Sequence, residues 1–324
     1  MRVVSLLPST TEIMAALGRT DALVGITHEC DFPVGLSEKV PAVTADMLAK
    51  GMKSEEIDEA VRASVSDSHT VYALDAERLQ ELAPDLVLSQ SLCEVCAVSA
   101  DAVAEAVCSM PHQARVLGVD PQNLAGVLAS VQTVADAIGD PQAGAQLHAD
   151  LQARLQRVDE RVSKAAGGQS KPRVAVLEWP VPPFAPGHWV PDMIEAGGGA
   201  NLLGRPGEPS QPIEWQAVLD AKPEAVLLAF CGFDAAETVR RVDEFADEPA
   251  WRELLASASL RDVFAVDGSG LFSRPGPRVV DGVEVVAELL YGPSTPGADG
   301  SSIPAGSVYR LTDGQWSPFE SAAR

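Results

Sequence analysis

The sequence predicts an α/β protein of two Rossmann-like lobes with parallel sheets, joined by a long helical bridge, with a ligand cleft between the lobes. At 324 residues the chain exceeds the size at which one hydrophobic core usually keeps growing. Short apolar runs alternate with helical patterns in both halves, which is typical of parallel sheets. The predicted domains are an N-terminal lobe, a bridging helical segment, a C-terminal lobe and a Pro/Gly/Ser-rich tail, over residues 1–122, 123–166, 171–291 and 292–324.

The N-terminal half begins with a strand-turn-helix pattern. Residues 2–7 are apolar enough for a buried strand, and Ser9-Thr10-Thr11-Glu12 has the form of a capping box. That motif predicts a helix over residues 12–17, which Gly18 ends. Apolar runs and helix-forming stretches then predict strands over 23–27, 84–89 and 116–119 and a helix over 76–82.

The middle of the chain is strongly helical. Between residues 123 and 165 the apolar side chains recur three or four positions apart, and Gly139-Asp140-Pro141 interrupts the pattern. This pattern predicts either two helices in near continuity or one kinked helix.

The second half repeats the strand-helix alternation without an internal sequence repeat. Its periodicity predicts strands over 173–177, 225–230 and 263–266 and helices over 191–196, 215–219 and 279–290. In the tail, Asp313-Gly314 predicts a small hairpin between residues 308–311 and 315–316, with loose order as the alternative.

The composition excludes several kinds of partner. With 24 basic and 46 acidic residues the net charge is −22, which repels nucleic acids and anionic membrane surfaces. No window holds the roughly 20 apolar residues of a membrane span, so no membrane insertion is predicted. Residues 1–12 contain neither a secretory h-region nor a lipobox cysteine, which predicts a cytoplasmic chain and argues against a permease partner.

Unusual side chains follow the predicted strands, where open parallel sheets bind ligands. The predicted ligand-binding residues are Ser9, Thr10, His28, Glu29, Glu178, Trp179, His188, Trp189, Phe233, Phe272, Ser273 and Arg274. The aromatic members favour a large planar ligand such as a corrin or porphyrin, with core packing as the alternative for each of them. Arg274 could clamp an acidic side group of a ligand or pair with a carboxylate of the chain itself.

Cysteine spacing raises a second hypothesis. Cys93 and Cys96 form a C-x-x-C motif, which could chelate a soft metal, act as a redox dithiol, or place two small buried side chains at a helix start. A site for Zn or Fe would draw its ligands from Cys30, Cys93, Cys96, Cys231 and His28. Equally, His28 could hydrogen-bond a neighbouring backbone carbonyl.

Several stretches together resemble a known family. They are the strand with Leu7-Pro8-Ser9-Thr10-Thr11-Glu12, the Pro84-Asp85-Leu86-Val87 strand, the mid-chain helical span, and Trp215 followed by Lys222-Pro223-Glu224-Ala225-Val226. Over about residues 1–291 the chain resembles the helix-bridged substrate-binding proteins of vitamin B12 and iron-chelate ABC importers. A branch called cobalamin-binding protein is similar in the His-Glu-Cys, Cys-Glu-Val-Cys, Gly-His-Trp and Ser-Arg-Pro-Gly-Pro-Arg stretches, which begin here at His28, Cys93, Gly187 and Ser273.

The resemblance implies that the chain binds a cobalamin-like corrinoid, or a related tetrapyrrole or metal chelate, and catalyses nothing. The alternative is a metalloprotein or enzyme that reuses the fold around a Cys/His-bound Zn, Fe or iron-sulfur centre. The fold alone does not choose between these two hypotheses.

Overall fold

The computed structural model describes residues 1–66, 71–90, 98–110, 114–292 and 303–319. The chain forms two compact units, one of Met1–Pro121 with Leu128–Ala149 and the other of Gln122–Val127 with Asp150–Arg324. No helix in the described part of the chain is long and apolar enough to cross a membrane.

The first unit is built on a parallel sheet. Its strands are β1 (Val3–Ser5), β2 (Leu23–Ile26), β3 (Thr44–Asp46), β4 (Tyr72–Leu74), β5 (Leu86–Ser89) and β6 (Arg115–Gly118). Its helices are α1 (Pro8–Ala16), α2 (Ser54–Ser66), α3 (Ala76–Leu82) and α4 (Ala100–Cys108), with most of α5 (Leu124–Ala137). The main sheet has the order β2-β1-β5-β6, and all of its pairs are parallel. Strands β3 and β4 form a separate antiparallel pair.

Helix α6 (Pro141–Ala166) contributes residues to both units, because the boundary between them falls after Ala149. Gly139, with a φ of +80°, separates α5 from α6. A positive φ is accessible to glycine at little cost, so this residue ends α5 and lets a new helix begin at Pro141.

The second unit combines a larger sheet with a small one. Its strands are β7 (Arg173–Leu177), β8 (Trp179–Pro180), β9 (Pro183–Ala185), β10 (Ala200–Asn201), β11 (Gln211–Pro212), β12 (Ala225–Leu228), β13 (Asp262–Val266), β14 (Val308–Thr312) and β15 (Gln315–Pro318). Its helices are α7 (Val190–Ala196), α8 (Trp215–Asp220), α9 (Ala235–Arg241), α10 (Pro249–Leu255) and α11 (Val279–Tyr291).

The larger sheet has the order β10-β7-β12-β13-β14-β15. Strands β10, β7, β12 and β13 pair in parallel, whereas β14 and β15 are antiparallel additions. The smaller sheet, β11-β9-β8, is antiparallel. Strands β7, β12 and β13 are almost entirely buried, as expected for parallel strands that are covered on both faces. The α/β fold class with parallel sheets is therefore confirmed.

The start of α1 differs from the sequence-based expectation. The helix begins at Pro8, with Leu7 as a cap that makes no side-chain hydrogen bond, so the predicted capping box at Ser9 is wrong. Proline suits the first helical position because its φ is already helical and its missing N–H is not needed there. The hydroxyl groups of Thr10 and Thr11 instead bond to Ser5 Oγ, at 2.6 and 2.8 Å.

Candidate functional site

Two aromatic rings meet where adjacent strands of the larger sheet end. Trp179 follows β7 and Phe233 lies just beyond β12, and these strands are neighbours in the sheet. The two rings stack with their centroids 5.4 Å apart and an interplanar angle of 22°. Both side chains are half-buried, so the stack keeps some accessible surface. The pair provides flat apolar area at the edge of the sheet where ligands usually bind.

Arg241, from the end of α9, covers the Phe233 ring. Its guanidinium carbon lies 4.6 Å from the ring centroid, a cation–π distance. The same guanidinium pairs with Glu237 at 2.7 Å and with Glu244 at 2.9 Å. The two carboxylates fix the Arg241 guanidinium, and the guanidinium in turn holds the Phe233 ring in position.

Glu178 lies directly before Trp179 and is almost completely buried, at 7% exposure. The Ser210 hydroxyl donates a hydrogen bond to its carboxylate, and the backbone N–H of Gly187 donates another. Burial disfavours the charged form and raises the pKa of Glu178 to about 7, although both hydrogen bonds act in the opposite direction. The Glu178 carboxylate therefore links the loops of Ser210 and Gly187 inside the unit, and it offers almost no surface to a ligand.

His188 and Trp189 belong to the loop that follows β9. His188 has a φ of +49°, in the left-handed region that non-glycine residues seldom adopt. Its ring stacks on Trp189 with centroids 5.7 Å apart, and the Trp189 indole N–H donates to the carbonyl oxygen of Phe272 at 2.7 Å. Burial lowers the pKa of His188, so its imidazole is neutral at pH 7.

The segment after β13 corrects one of the predicted ligand contacts, that of Phe272. Residues Ser269–Ser273 form a π-helical turn, which turns Phe272 fully into the core, at 0% exposure. The Ser273 hydroxyl donates to the Gly268 carbonyl oxygen at 2.9 Å, and Arg274 is 9% exposed. Phe272 thus has no surface for a ligand, whereas the ligand contacts of Ser273, which is half-buried, and of Arg274 stay predictions.

In the first unit, His28 follows β2 and is fixed by Thr44 of β3. The Thr44 hydroxyl accepts the backbone N–H of His28 at 3.0 Å, lies 2.7 Å from His28 Nδ1, and donates to Thr27 at 2.9 Å. Since the Thr44 proton is already used, Nδ1 of His28 must carry the hydrogen of that bond. Nε2 lies 3.3 Å from the Glu29 carboxylate, and the ring contacts Tyr72 at 5.4 Å between centroids.

Ser9 and Thr10 are buried, at 3% and 0% exposure. Thr10 bonds to Ser5 and to the Leu7 carbonyl oxygen within the turn that joins β1 to α1. Both residues support this turn, and neither has the accessible surface that the predicted ligand contact requires.

The predicted metal site finds no support in the described residues. Cys30 is buried and its thiol donates to Thr11 at 3.1 Å, whereas Cys231 is exposed and belongs to the other unit. Cys93 and Cys96 lie outside the described residues. Within the part of the chain that is described, no group of three or more His, Cys, Asp or Glu side chains is placed to hold a metal ion.

The sequence motifs did not indicate four residues that the structure places at the site, namely Ser210, Arg241, Thr44 and Tyr72. Arg241 had a readable signal, because Glu237 and Glu244 lie four residues before it and three after it, at helical spacing. Thr44 and Tyr72 lie on strands of three residues, too short to show a period-two pattern. Ser210 is 32 residues from Glu178 in the sequence, and no local sequence pattern indicates their hydrogen bond.

Comparisons with known proteins agree with this architecture. The sequence model of the periplasmic binding protein family matches residues 3–264. The uncharacterized ABC transporter substrate-binding lipoprotein YvrC of Bacillus subtilis is 26% identical over 299 residues, which cover 90% of this chain and 80% of YvrC. The vitamin B12-binding protein of Vibrio cholerae is 22% identical over 289 residues, 89% of this chain and 88% of the relative. The crystal structure of a periplasmic heme-binding protein from Pseudomonas aeruginosa superposes with a TM-score of 0.68 at 18% identity, covering 100% of this chain and 99% of that one.

These matches overturn the predicted cytoplasmic location. The matching family is periplasmic, and YvrC is a lipoprotein, so the prediction is wrong. The prediction was based on residues 1–12. In the structure Val3–Ser5 form strand β1 and Pro8–Ala16 form helix α1. The composition of these residues therefore reflects their place in the fold and carries no information on the compartment. The argument against a permease partner rested on the same residues and falls with it.

The resemblance drawn from the sequence motifs is confirmed at the level of the family. The match spans most of both units, from the first residue of β1 into β13. The chain belongs to the periplasmic binding protein family, the substrate-binding proteins to which its two α/β units and parallel sheets correspond.

Proposed function

We propose that this protein binds a cobalamin-like corrinoid, or a related tetrapyrrole metal chelate, and catalyses no reaction on it. The observation that carries the proposal is the stack of Trp179 on Phe233 at the carboxyl ends of β7 and β12. A large planar ligand gains most of its affinity from apolar area of this kind, with a few placed polar groups setting its orientation.

The stack is also held rigidly. Phe233 lies under Arg241, whose guanidinium is fixed by two carboxylates, and Trp179 follows the buried Glu178. A surface that is ordered before binding loses little conformational freedom when the ligand arrives, so more of the contact energy remains as affinity. This preorganisation suits a passive carrier.

The relatives support the same class of ligand. The Vibrio cholerae relative is named for vitamin B12, and the Pseudomonas aeruginosa structure is of a heme-binding protein. Both ligands are tetrapyrrole metal chelates. We further propose that the protein delivers its ligand to an ABC permease, as the substrate-binding designation of YvrC would imply.

Titration of the purified protein with cyanocobalamin, dicyanocobinamide and hemin, followed by absorbance and calorimetry, tests the proposal. Wild-type protein is expected to bind at least one of the three with a stoichiometry of one. Trp179→Leu should weaken that binding about tenfold or more, since one aromatic contact is worth roughly 1 kcal/mol beyond its buried area. Trp316→Leu, in β15, is the matched control and should leave the affinity unchanged.

Two results would overturn the proposal. One is a failure of the wild-type protein to bind any of the three probes. The other is equal binding by the Trp179 and Trp316 variants, which would remove the stack from the ligand site.

A further inference from the structure

His188 occupies a strained backbone conformation. Its φ of +49° is unfavourable for a residue with a Cβ. Strain of this kind persists only where the surroundings enforce it, and it is concentrated at ligand-binding positions.

Three segments enforce it here. The His188 N–H donates to the Glu208 carbonyl oxygen at 2.7 Å, and the His188 carbonyl accepts from Gly207 at 3.0 Å. Gly187, one residue earlier, donates to the buried Glu178 carboxylate. Trp189, one residue later, donates to Phe272 at 2.7 Å. Hydrogen bonds to other segments therefore fix all three residues of the loop, Gly187, His188 and Trp189.

The imidazole itself makes no hydrogen bond within the described part of the chain. Nδ1 is enclosed and has no hydrogen-bond partner there, whereas the half-buried ring leaves Nε2 as the nitrogen on its accessible side. An enclosed N–H without an acceptor costs more than an enclosed bare nitrogen, so the proton belongs on Nε2. The arrangement thus presents one N–H donor outward from a ring that is stacked on Trp189.

We propose that His188 is a ligand-binding residue that donates a hydrogen bond from Nε2–H to an acceptor oxygen on the rim of the bound ligand. The inference rests on the proposed function, since the acceptor is an amide or carboxylate oxygen of a tetrapyrrole side group. The loop that carries the donor is linked to the segment that carries the stack, because Gly187 donates to Glu178, the residue before Trp179. The stack supplies affinity, and His188 supplies orientation.

This role predicts a tautomer that can be observed in the free protein. Nitrogen-15 NMR at pH 7.5 should show neutral His188 with its proton on Nε2. The internal reference is His148, whose Nδ1 must carry a proton because it lies 2.9 Å from the carbonyl oxygen of Leu128, which can only accept.

Binding by two nearly isosteric variants tests the donor role. Asparagine and aspartate both tolerate the left-handed conformation, so His188→Asn and His188→Asp keep the loop comparable. Asparagine retains an N–H donor, whereas aspartate presents only acceptors. With whichever of cyanocobalamin, dicyanocobinamide and hemin the wild type binds most tightly as the probe, His188→Asn should bind within about threefold of wild type, and His188→Asp should lose at least about tenfold. Unfolding by urea should confirm that both variants are equally folded.

The outcomes separate the two proposals. If wild-type protein binds one of the three probes but the Asn and Asp variants bind that probe equally well, the donor role is overturned and the proposed function stands. An Nδ1-protonated tautomer of His188 would overturn the donor role as well. If wild-type protein binds none of the tetrapyrrole probes, the proposed function fails, and the role of His188 fails with it.

Discussion

The Ser210 hydroxyl donates a hydrogen bond to the Glu178 carboxylate inside the second unit, joining the residue before β11 to the residue after β7. Glu178 also accepts from Gly187 and is 7% exposed. One buried carboxylate therefore connects three segments that carry the candidate site. Its ionisation should be visible in the stability of the whole unit.

The pH dependence of stability follows from this carboxylate. Burial raises the pKa of Glu178 from 4.5 to about 7 in the folded protein, so the folded state holds its proton more tightly than the unfolded state. The resulting stabilisation is complete below pH 4.5 and is lost as the pH rises to about 7, a loss of roughly 3 kcal/mol. Glu178→Gln should remove this slope and gain stability relative to wild type above pH 7.

Urea denaturation from pH 4.5 to pH 8.5 measures this slope. Glu208→Gln changes a carboxylate whose side chain is 58% exposed and should keep the wild-type slope, which makes it the control. Equal slopes for wild type and Glu178→Gln would show that Glu178 does not titrate in this range.

Adjacent arginines on α9 offer a second test. Arg241 has a side-chain exposure of 14%, pairs with two carboxylates and covers Phe233, whereas Arg240 is 65% exposed and pairs with Glu237 alone. Arg241→Met should lower the free energy of unfolding by about 2 kcal/mol, because it removes two ion pairs and the contact with the Phe233 ring that a largely buried guanidinium makes. Arg240→Met should cost less than about 0.5 kcal/mol.

Chemical denaturation and cyanocobalamin titration of the two arginine variants give both readouts. The Arg241 variant should also bind more weakly, since Phe233 loses its support. A larger loss of stability or affinity in Arg240→Met than in Arg241→Met would contradict this account.

Gly187 is required by close backbone contact. A Cβ at this position would overlap the backbone nitrogen of Ser210 and the carbonyl oxygen of Glu208, and backbone cannot move aside as a side chain can. Gly187→Ala should therefore cost about 3 kcal/mol or more, as overpacking does, and should separate the loop from Ser210.

Gly207→Ala is the comparison for Gly187→Ala. Gly207 has a φ of +77° but open space around it, so alanine there should cost only about 1 kcal/mol of backbone strain. Thermal unfolding of the two variants measures both losses of stability. Equal losses would mean that small shifts of the backbone relieve the overlap at Gly187.

Elements with a strong apolar period could be predicted from the sequence almost to the residue. The strand over 173–177 and the helix over 76–82 have the predicted bounds, because a buried strand and an amphipathic helix leave a local pattern. The start of α1 could not be predicted from the motif alone, since Ser9 fits a capping box as well as the first turn of a helix that starts at Pro8.

The candidate site was only partly predictable for the same reason. Position after a strand selected Trp179 and Phe233, which the structure stacks on each other, but it also selected Phe272, which a π-helical turn directs into the core. Contacts such as Ser210 with Glu178 depend on tertiary packing across many residues. The remaining predicted ligand contacts stay predictions: those of His28, Glu29, Glu178, Trp179, His188, Trp189, Phe233, Ser273 and Arg274.

The hairpin of β14 and β15 changes what the larger sheet exposes to other molecules. Asp313 and Gly314 both have positive φ values, as a tight two-residue hairpin turn requires, and β14 pairs with β13. Without the hairpin, β13 would present a row of unpaired N–H and C=O groups on which another chain could build. The outer position passes instead to β15, whose last residue, Pro318, has no N–H to offer. Residues beyond those the family model matches thus move the edge of the sheet from β13 to a four-residue strand that ends in proline, two features that disfavour pairing with another chain.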